Sequence, residues 1–260
     1  MKKLIAISTA AMLLAAECCG CSKNEIIVFP EDELLSRYTS EADKAMTVID
    51  ETDRIKAVNF YRGEEEIYTE IYVPEGDGTF PVVVIADTST DREYKDMAQT
   101  LSDSGITAVI CECDCEDTLE CSADIESVVE GLSKLSYIDT ENIFLWGYDI
   151  GGVSTAYVGL KNPELIKGTI LAEPDLLGGF DVYDYMPECN SKVLILAGNS
   201  KPSIGRDTPE AYERAQELLP SCEIIKVPGA THDFDNSTFD NVVRYTVLFV
   251  QENLTLKYYW

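Results

Sequence analysis

The segment GYDIGG, Gly147 to Gly152, sets a carboxylate, Asp149, among glycines directly after the apolar run NIFLW and directly before the helical stretch VSTAYVGL. Strand, tight turn and helix in that order form the layout of a nucleophile elbow, whose central side chain stands on a sharp turn above the end of a sheet. A serine at that point attacks an acyl carbon once a histidine has taken its proton. An aspartate needs no deprotonation near neutral pH and attacks as it stands, leaving an ester on its own side chain. The chain has one histidine, His232, in the segment GATHDF, and imidazole is the side chain best suited to move protons near neutrality. Two further carboxylates, Asp175 in AEPD and Asp207 in RDTPE, lie on loops that can reach a histidine; both also suit ordinary loop or helix-cap duty. Ser154 lies a turn into the helix and cannot occupy the elbow.

These side chains need a frame, and the hydropathy pattern supplies one. IKAVNFY and EEIYTEIYV read as an antiparallel pair around Arg62-Gly63. PVVVIAD is a continuous apolar run, as in a central parallel strand covered on both faces. Then helix and strand alternate: DREYKDMAQTLSDSG, ITAVICEC, SADIESVVEGLSKL, NIFLWG, GGVSTAYVGL, KGTILAE, KVLILAG, TPEAYERAQELL, CEIIKVPG and NVVRYTVLFVQENL. Such alternation predicts an α/β fold with a doubly wound, mostly parallel sheet.

The segment EIYVPEGDGTFPVVVIAD, the elbow GYDIGG and the late GATHDF, in that order and at these distances, make residues 55 to 253 resemble an α/β-hydrolase of the dienelactone hydrolase, small esterase and serine aminopeptidase-like kind. The resemblance implies that His232 is the general base. It also implies an acid three residues past the glycine of KVLILAG, where this chain has Lys201, which cannot accept an imidazole N–H. After PVVVI the family shows His-Gly; here Ala86-Asp87 stands, and a carboxylate beside a developing oxyanion repels it. Ala86, Asp87, Tyr148 and Ile150 are accordingly the expected oxyanion and cleft residues. Aspartate at the elbow is used by the haloalkane dehalogenases and epoxide hydrolases of this superfamily, which add aromatic or hydroxyl donors from a cap domain. Only about twenty residues separate KGTILA from KVLILAG, so an α/β-hydrolase fold without a sizeable cap domain is expected. Tyr183 and Tyr185 in that stretch can act as donors or as loop anchors.

Taken together the departures point to a serine-hydrolase site that has lost its esterase chemistry and kept a cleft for a small-molecule ligand or a partner. The alternative is an active hydrolase, esterase-like or with Asp149 as nucleophile, His232 as base and Asp175 or Asp207 orienting the imidazole. A third reading gathers Asp87, Asp149, His232 and Asp114 around a divalent cation. No cofactor is implied, and without a metal the crowding of Asp87 and Asp149 would hold one of them protonated.

Composition bounds the rest. The 260 residues suffice for one domain, and the net charge of −27 disfavours nucleic acid and anionic lipid as partners. Met1-Lys2-Lys3 followed by LIAISTAAMLLAA has the form of an export signal over residues 1–20, too short to span a bilayer. Gly20-Cys21 resembles the end of a bacterial lipobox, with Cys18 and Glu17 unusual neighbours. The expectation is a protein of the bacterial cell envelope, lipid-anchored at Cys21, with an acidic tether over 21–54, a helix around Glu33 to Ile49, and the folded domain over 55–260; simple secretion is the alternative. Of nine cysteines, Cys111, Cys113, Cys115 and Cys121 lie close together. Their spacing suits small apolar packing first, a local disulfide second and zinc third.

Overall fold

The run FPVVVIAD forms β4 (Phe80–Asp87), with Val82 to Ala86 buried on both faces, and the rest of the molecule is layered around it. The computed structural model describes residues 46–52, 54–88, 94–113, 117–176, 182–198 and 209–255. The segment 1–20, Cys21, the tether as far as residue 45, Asp114, Cys115, Lys201 and Asp207 lie outside the described residues.

The other strands are β1 (Met46–Glu51), β2 (Ile55–Arg62), β3 (Glu65–Tyr72), β5 (Thr107–Glu112), β6 (Ile138–Tyr148), β7 (Gly168–Ala172), β8 (Lys192–Gly198) and β9 (Cys222–Val227). They form one sheet in the order β1-β2-β3-β5-β4-β6-β7-β8-β9. β1, β2, β3 and β5 pair antiparallel, and every pairing from β5 through β4 to β9 is parallel. The β2–β3 hairpin turns at Gly63, whose φ of +64° is a conformation that suits glycine.

Helices cover both faces. α1 (Lys95–Asp103) and α5 (Asn236–Glu252) pack on one side, where Met97, Leu101, Val242 and Phe249 meet Val83, Ile85, Phe144 and Trp146. α2 (Thr118–Leu132), α3 (Asp149–Lys161), a 3₁₀ turn over Val182–Glu188 and α4 (Pro209–Leu218) pack on the other, where Ile125, Val128, Val153 and Tyr212 meet Val82, Val84, Leu145 and Ile195. Alternate residues of each central strand go to opposite layers, which is why those strands are apolar throughout. Asp117 starts α2 by accepting the N–H of Leu119 at 2.8 Å, and Asp235 starts α5 by accepting that of Thr238 at 2.9 Å.

Two features differ from the sequence expectation. Residues 46–51 are a strand, not the end of a helix reaching Ile49, so the sheet begins upstream of residue 55. The β-branched Thr47, Val48 and Ile49 favour extended backbone, and β2 supplies their ladder; the strand is exposed along its whole length. The 3₁₀ turn also has no apolar period long enough to read. Its Tyr183 donates to the carbonyl of Ala211 at 3.1 Å beneath the guanidinium of Arg214, 4.0 Å from the ring centroid. Tyr185 meets the ring of Tyr157 edge-on at 5.4 Å, so both tyrosines anchor the turn to α3 and α4.

Cys111, Cys113 and Cys121 are buried thiols in the layer under α2, and the Cys111 and Cys113 sulfurs stand 3.6 Å apart, beyond disulfide length. They pack as small apolar groups. Among the described residues no helix is long and apolar enough to cross a membrane.

Candidate active site

Asp149 is the first residue of α3, immediately after the last residue of β6, with φ at +52°. An L residue pays for that conformation sterically, so the surrounding packing must hold it. The neighbouring glycines allow that packing. A Cβ on Gly147 would lie 2.4 Å from the Gly151 carbonyl oxygen and 2.4 Å from Thr155 Oγ1. One on Gly151 would lie 2.9 Å from Thr88 Cγ2, and one on Gly152 2.9 Å from Pro174 Cβ. The glycine pattern of GYDIGG therefore has a steric origin: the turn is tight, and α3 starts in contact with the chain leaving β4 and β7. The strained elbow is intact, with a carboxylate at its apex.

His232 lies on the loop between β9 and α5. Its Nε2 is 3.9 Å from Asp149 Oδ2, and its Nδ1 is 3.1 Å from Glu173 Oε2. All three side chains are largely withdrawn from solvent, at 13% exposure for Asp149, 12% for His232 and 10% for Glu173. The carboxylate on Nδ1 is thus a residue that the sequence motif did not single out. Glu173 directly follows β7, and its N–H continues the ladder by donating to the Leu196 carbonyl at 2.8 Å. Its other carboxylate oxygen accepts the N–H of Gly198, at the end of β8. With φ at +43°, Glu173 is a second non-glycine residue held in left-handed backbone beside the imidazole.

The expected site residues divide accordingly. Asp149 and His232 come together. Asp175 is half-buried, and its N–H donates to the Asp149 carbonyl at 3.2 Å, tying the loop after β7 to the elbow. Asp207 lies outside the described residues. Ala86 is buried beside Gly147 in the sheet, and Asp87 ends β4, its carbonyl accepting the N–H of Cys113 at 2.8 Å. Ile150, the residue after Asp149, is 45% exposed. Tyr148 donates to the His232 carbonyl at 3.3 Å and packs its ring on the imidazole. Ser154 is buried with its hydroxyl on the Thr118 carbonyl at 3.0 Å, out of reach as a nucleophile. Among the described residues, no group of three or more His, Cys, Asp and Glu side chains is arranged to hold a metal ion.

Glu173 had a weak signal in sequence. It is an acid directly after a buried parallel strand, in AEPD, but Asp175 competed for the same role. Its role shows only in the 3.1 Å contact with a histidine 59 positions away.

No family model matches the chain, and no curated protein matches its sequence. Solved structures do. Est1E from Butyrivibrio proteoclasticus superposes with a TM-score of 0.66 at 17% identity, over 76% of this chain and 98% of its own. A dienelactone hydrolase from Anabaena variabilis gives 0.66 at 15% identity, over 78% of this chain and 99% of its own. A putative dipeptidyl aminopeptidase IV from Bacteroides ovatus gives 0.67 at 14% identity, with 77% of this chain matching 36% of that longer one. At such identities the likeness concerns the fold. The chain has the α/β-hydrolase fold, with a mostly parallel nine-stranded sheet flanked by helices.

Proposed function

We propose that the protein is a hydrolase that works through a carboxylate nucleophile and not through serine. The single observation that carries this reading is the run Glu173–His232–Asp149, joined at 3.1 Å and 3.9 Å in the order that nucleophilic catalysis requires. In the first step an Asp149 oxygen forms a bond to an electrophilic sp³ carbon, and the leaving group departs with its electron pair. In the second, water adds to the carboxyl carbon of Asp149 while His232 Nε2 takes its proton. The acyl C–O bond then breaks, the departing alkoxide takes the proton from the His232 imidazolium and leaves as the alcohol, and the new carboxyl group loses its proton to solvent, restoring the Asp149 carboxylate. Glu173 holds the Nδ1–H tautomer and stabilises the imidazolium that forms. The first N–H groups of α3, which the N-cap residue Tyr148 does not cap with its side chain, supply donors for charge developing on the Asp149 carboxyl. At 3.9 Å the two groups are too far apart for a direct hydrogen bond, and in the second step the attacking water would bridge base and carboxyl.

A second reading, a degenerate cleft that binds a small molecule or a partner without turnover, is favoured by Asp87, which ends β4 where acyl-transfer members of the superfamily place an oxyanion-binding backbone. It also fits the burial of Ser154. Under either reading we place the protein in the bacterial cell envelope, exported by residues 1–20 and lipid-anchored at Cys21, on the strength of that segment's composition.

Intact-mass analysis of wild type and His232→Ala after incubation with styrene oxide, 1-bromobutane and 4-nitrophenyl acetate separates the readings. A persistent adduct mapped to Asp149 in His232→Ala, with oxygen-18 from labelled water entering Asp149 on turnover by wild type, is the expected result. Neither adduct nor turnover with these probes leaves the binding reading. A nitrophenol burst abolished in His232→Ala, with no label in Asp149, would overturn both.

A further inference from the structure

We infer that Tyr148 is a positioning residue, a strut that sets the distance between the nucleophile's backbone and the loop carrying the base. Tyr148 is bonded directly to Asp149 and has extended backbone, φ −120° and ψ 140°. Its side chain leaves β6 on the α1/α5 face and is 7% exposed. The hydroxyl donates to the main-chain carbonyl of His232 at 3.3 Å, and the ring centroid lies 5.6 Å from that of the imidazole at an interplanar angle of 37°. The same ring meets Phe234 at 6.2 Å. One side chain therefore touches the base at its peptide, at its ring and at the buried residue two places on.

The loop it touches is under constraint from other directions too. Phe234 is buried, has φ at +42°, and closes a turn by donating its N–H to the Thr231 carbonyl at 3.2 Å. Thr231 in turn lies so close to β8 that a Cβ on Gly198 would come within 2.8 Å of its carbonyl oxygen. Gly198 is also the residue whose N–H holds Glu173. The imidazole thus has its Nδ1 side fixed from β8 through Glu173 and its backbone fixed from β6 through Tyr148. A tyrosine serving only to fill the core could rest its hydroxyl on any nearby acceptor; this one rests on the base's own carbonyl while its backbone carries the nucleophile. Since ångström-scale displacement of reacting groups alters rates steeply, the strut matters most for the step that uses both ends.

The kinetic consequence rests on the carboxylate-nucleophile reading, whereas the structural one does not, and two experiments keep them apart. The chain has a single histidine, so every imidazole NMR signal reports His232. In wild type, a hydrogen-bonded Nδ1–H proton and one narrow set of ring signals are expected. Tyr148→Phe should broaden those signals and speed exchange of the Nδ1 proton, and Tyr148→Leu, which also loses the ring contact, should shift the Hε1 resonance further. Tyr148→Phe keeps the packed volume, so it decides the matter even if Tyr148→Leu fails to fold. Imidazole signals in Tyr148→Phe that superimpose on wild type would overturn the inference. In single-turnover reactions with styrene oxide, Tyr148→Phe should form the Asp149 ester within about twofold of wild type but hydrolyse it on the order of tenfold more slowly. An equal fall in both rates would mark Tyr148 as merely structural and would also overturn it. If wild type forms no ester with any probe, the carboxylate-nucleophile reading fails, and the NMR comparison alone decides whether Tyr148 positions His232.

Discussion

Glu173 combines three properties rarely found together in a plain loop residue: left-handed backbone, a nearly buried carboxylate, and one oxygen on each of two different partners, His232 and the amide of Gly198. The backbone strain is tolerated because both partners hold the side chain in one place. Glu173→Gln preserves the shape and an acceptor for Gly198 while removing the charge that supports an imidazolium. We expect it to slow hydrolysis of the Asp149 ester by about 10²- to 10⁴-fold while leaving ester formation nearly unchanged, a split visible in rapid-quench mass spectrometry. Asp149→Asn should abolish the adduct altogether. A Glu173→Gln protein with wild-type turnover would remove Glu173 from the mechanism.

Among the secondary-structure elements, the join between the β2–β3 hairpin and α2 combines apolar packing, with Phe60 against Gly131, and one buried guanidinium. Arg62, with its side chain 7% exposed, donates to Asp124 at 2.7 Å and to Glu120 at 2.8 Å, and pairs with Glu65 at 2.5 Å. Burial pushes the Asp124 carboxyl up to about 6, against the opposing pull of Arg62. Arg62→Met leaves that carboxyl buried without its cation and should cost about 3–5 kcal/mol in urea unfolding. The double variant Arg62→Met, Asp124→Leu should recover much of the loss, because two apolar groups replace an ion pair in the same volume. The pH dependence has a definite sign. Between about 6 and the ordinary carboxylate value near 4, folded Asp124 binds a proton that the unfolded chain does not, so this group's contribution favours the folded state as pH falls through that window. Asp103, lowered by its bond to Arg54, and Asp235, lowered by the Thr238 N–H, act oppositely: their stabilisation is present above the ordinary value and is lost as pH falls below it. Asp124→Asn should therefore remove the acid-side gain between about 6 and 4 and leave the loss at lower pH, as followed by thermal melts across pH.

For the molecule as a whole, the apolar layers decide what its cysteines can do. Cys111, Cys113, Cys121 and Cys189 are buried, the Cys111 thiol is held above its ordinary range, and burial pushes Cys222 up to about 12. The thiolate is the reactive form, so these side chains should resist iodoacetamide at pH 8 in the native protein and react once it is unfolded. Peptide-mapped alkylation measures this directly, and rapid native labelling of Cys111 or Cys113 would show that the α2 layer opens. The whole chain carries a net charge of −27, and its edge strand β1 is exposed along its length.

Much of this architecture was legible in the chain. Continuous apolar runs such as PVVVIAD announce strands buried on both faces, alternating helical segments announce the parallel sheet, and the glycines around Asp149 announce the tight turn, because each is a local steric or hydropathic requirement. The partner of His232 was not legible. AEPD offers two acids two residues apart, and local pattern cannot tell which of them meets a loop 59 positions downstream. β1 was hidden for a related reason, since an exposed edge strand carries no burial pattern and owes its existence to the neighbour that pairs with it. The sequence by itself determined the layers and the elbow; the tertiary structure alone decided that Glu173, Tyr148 and Gly198 converge on the imidazole. Backbone preferences and hydrophobic periods act over a few residues, whereas a catalytic distance is set by how separate strands end side by side.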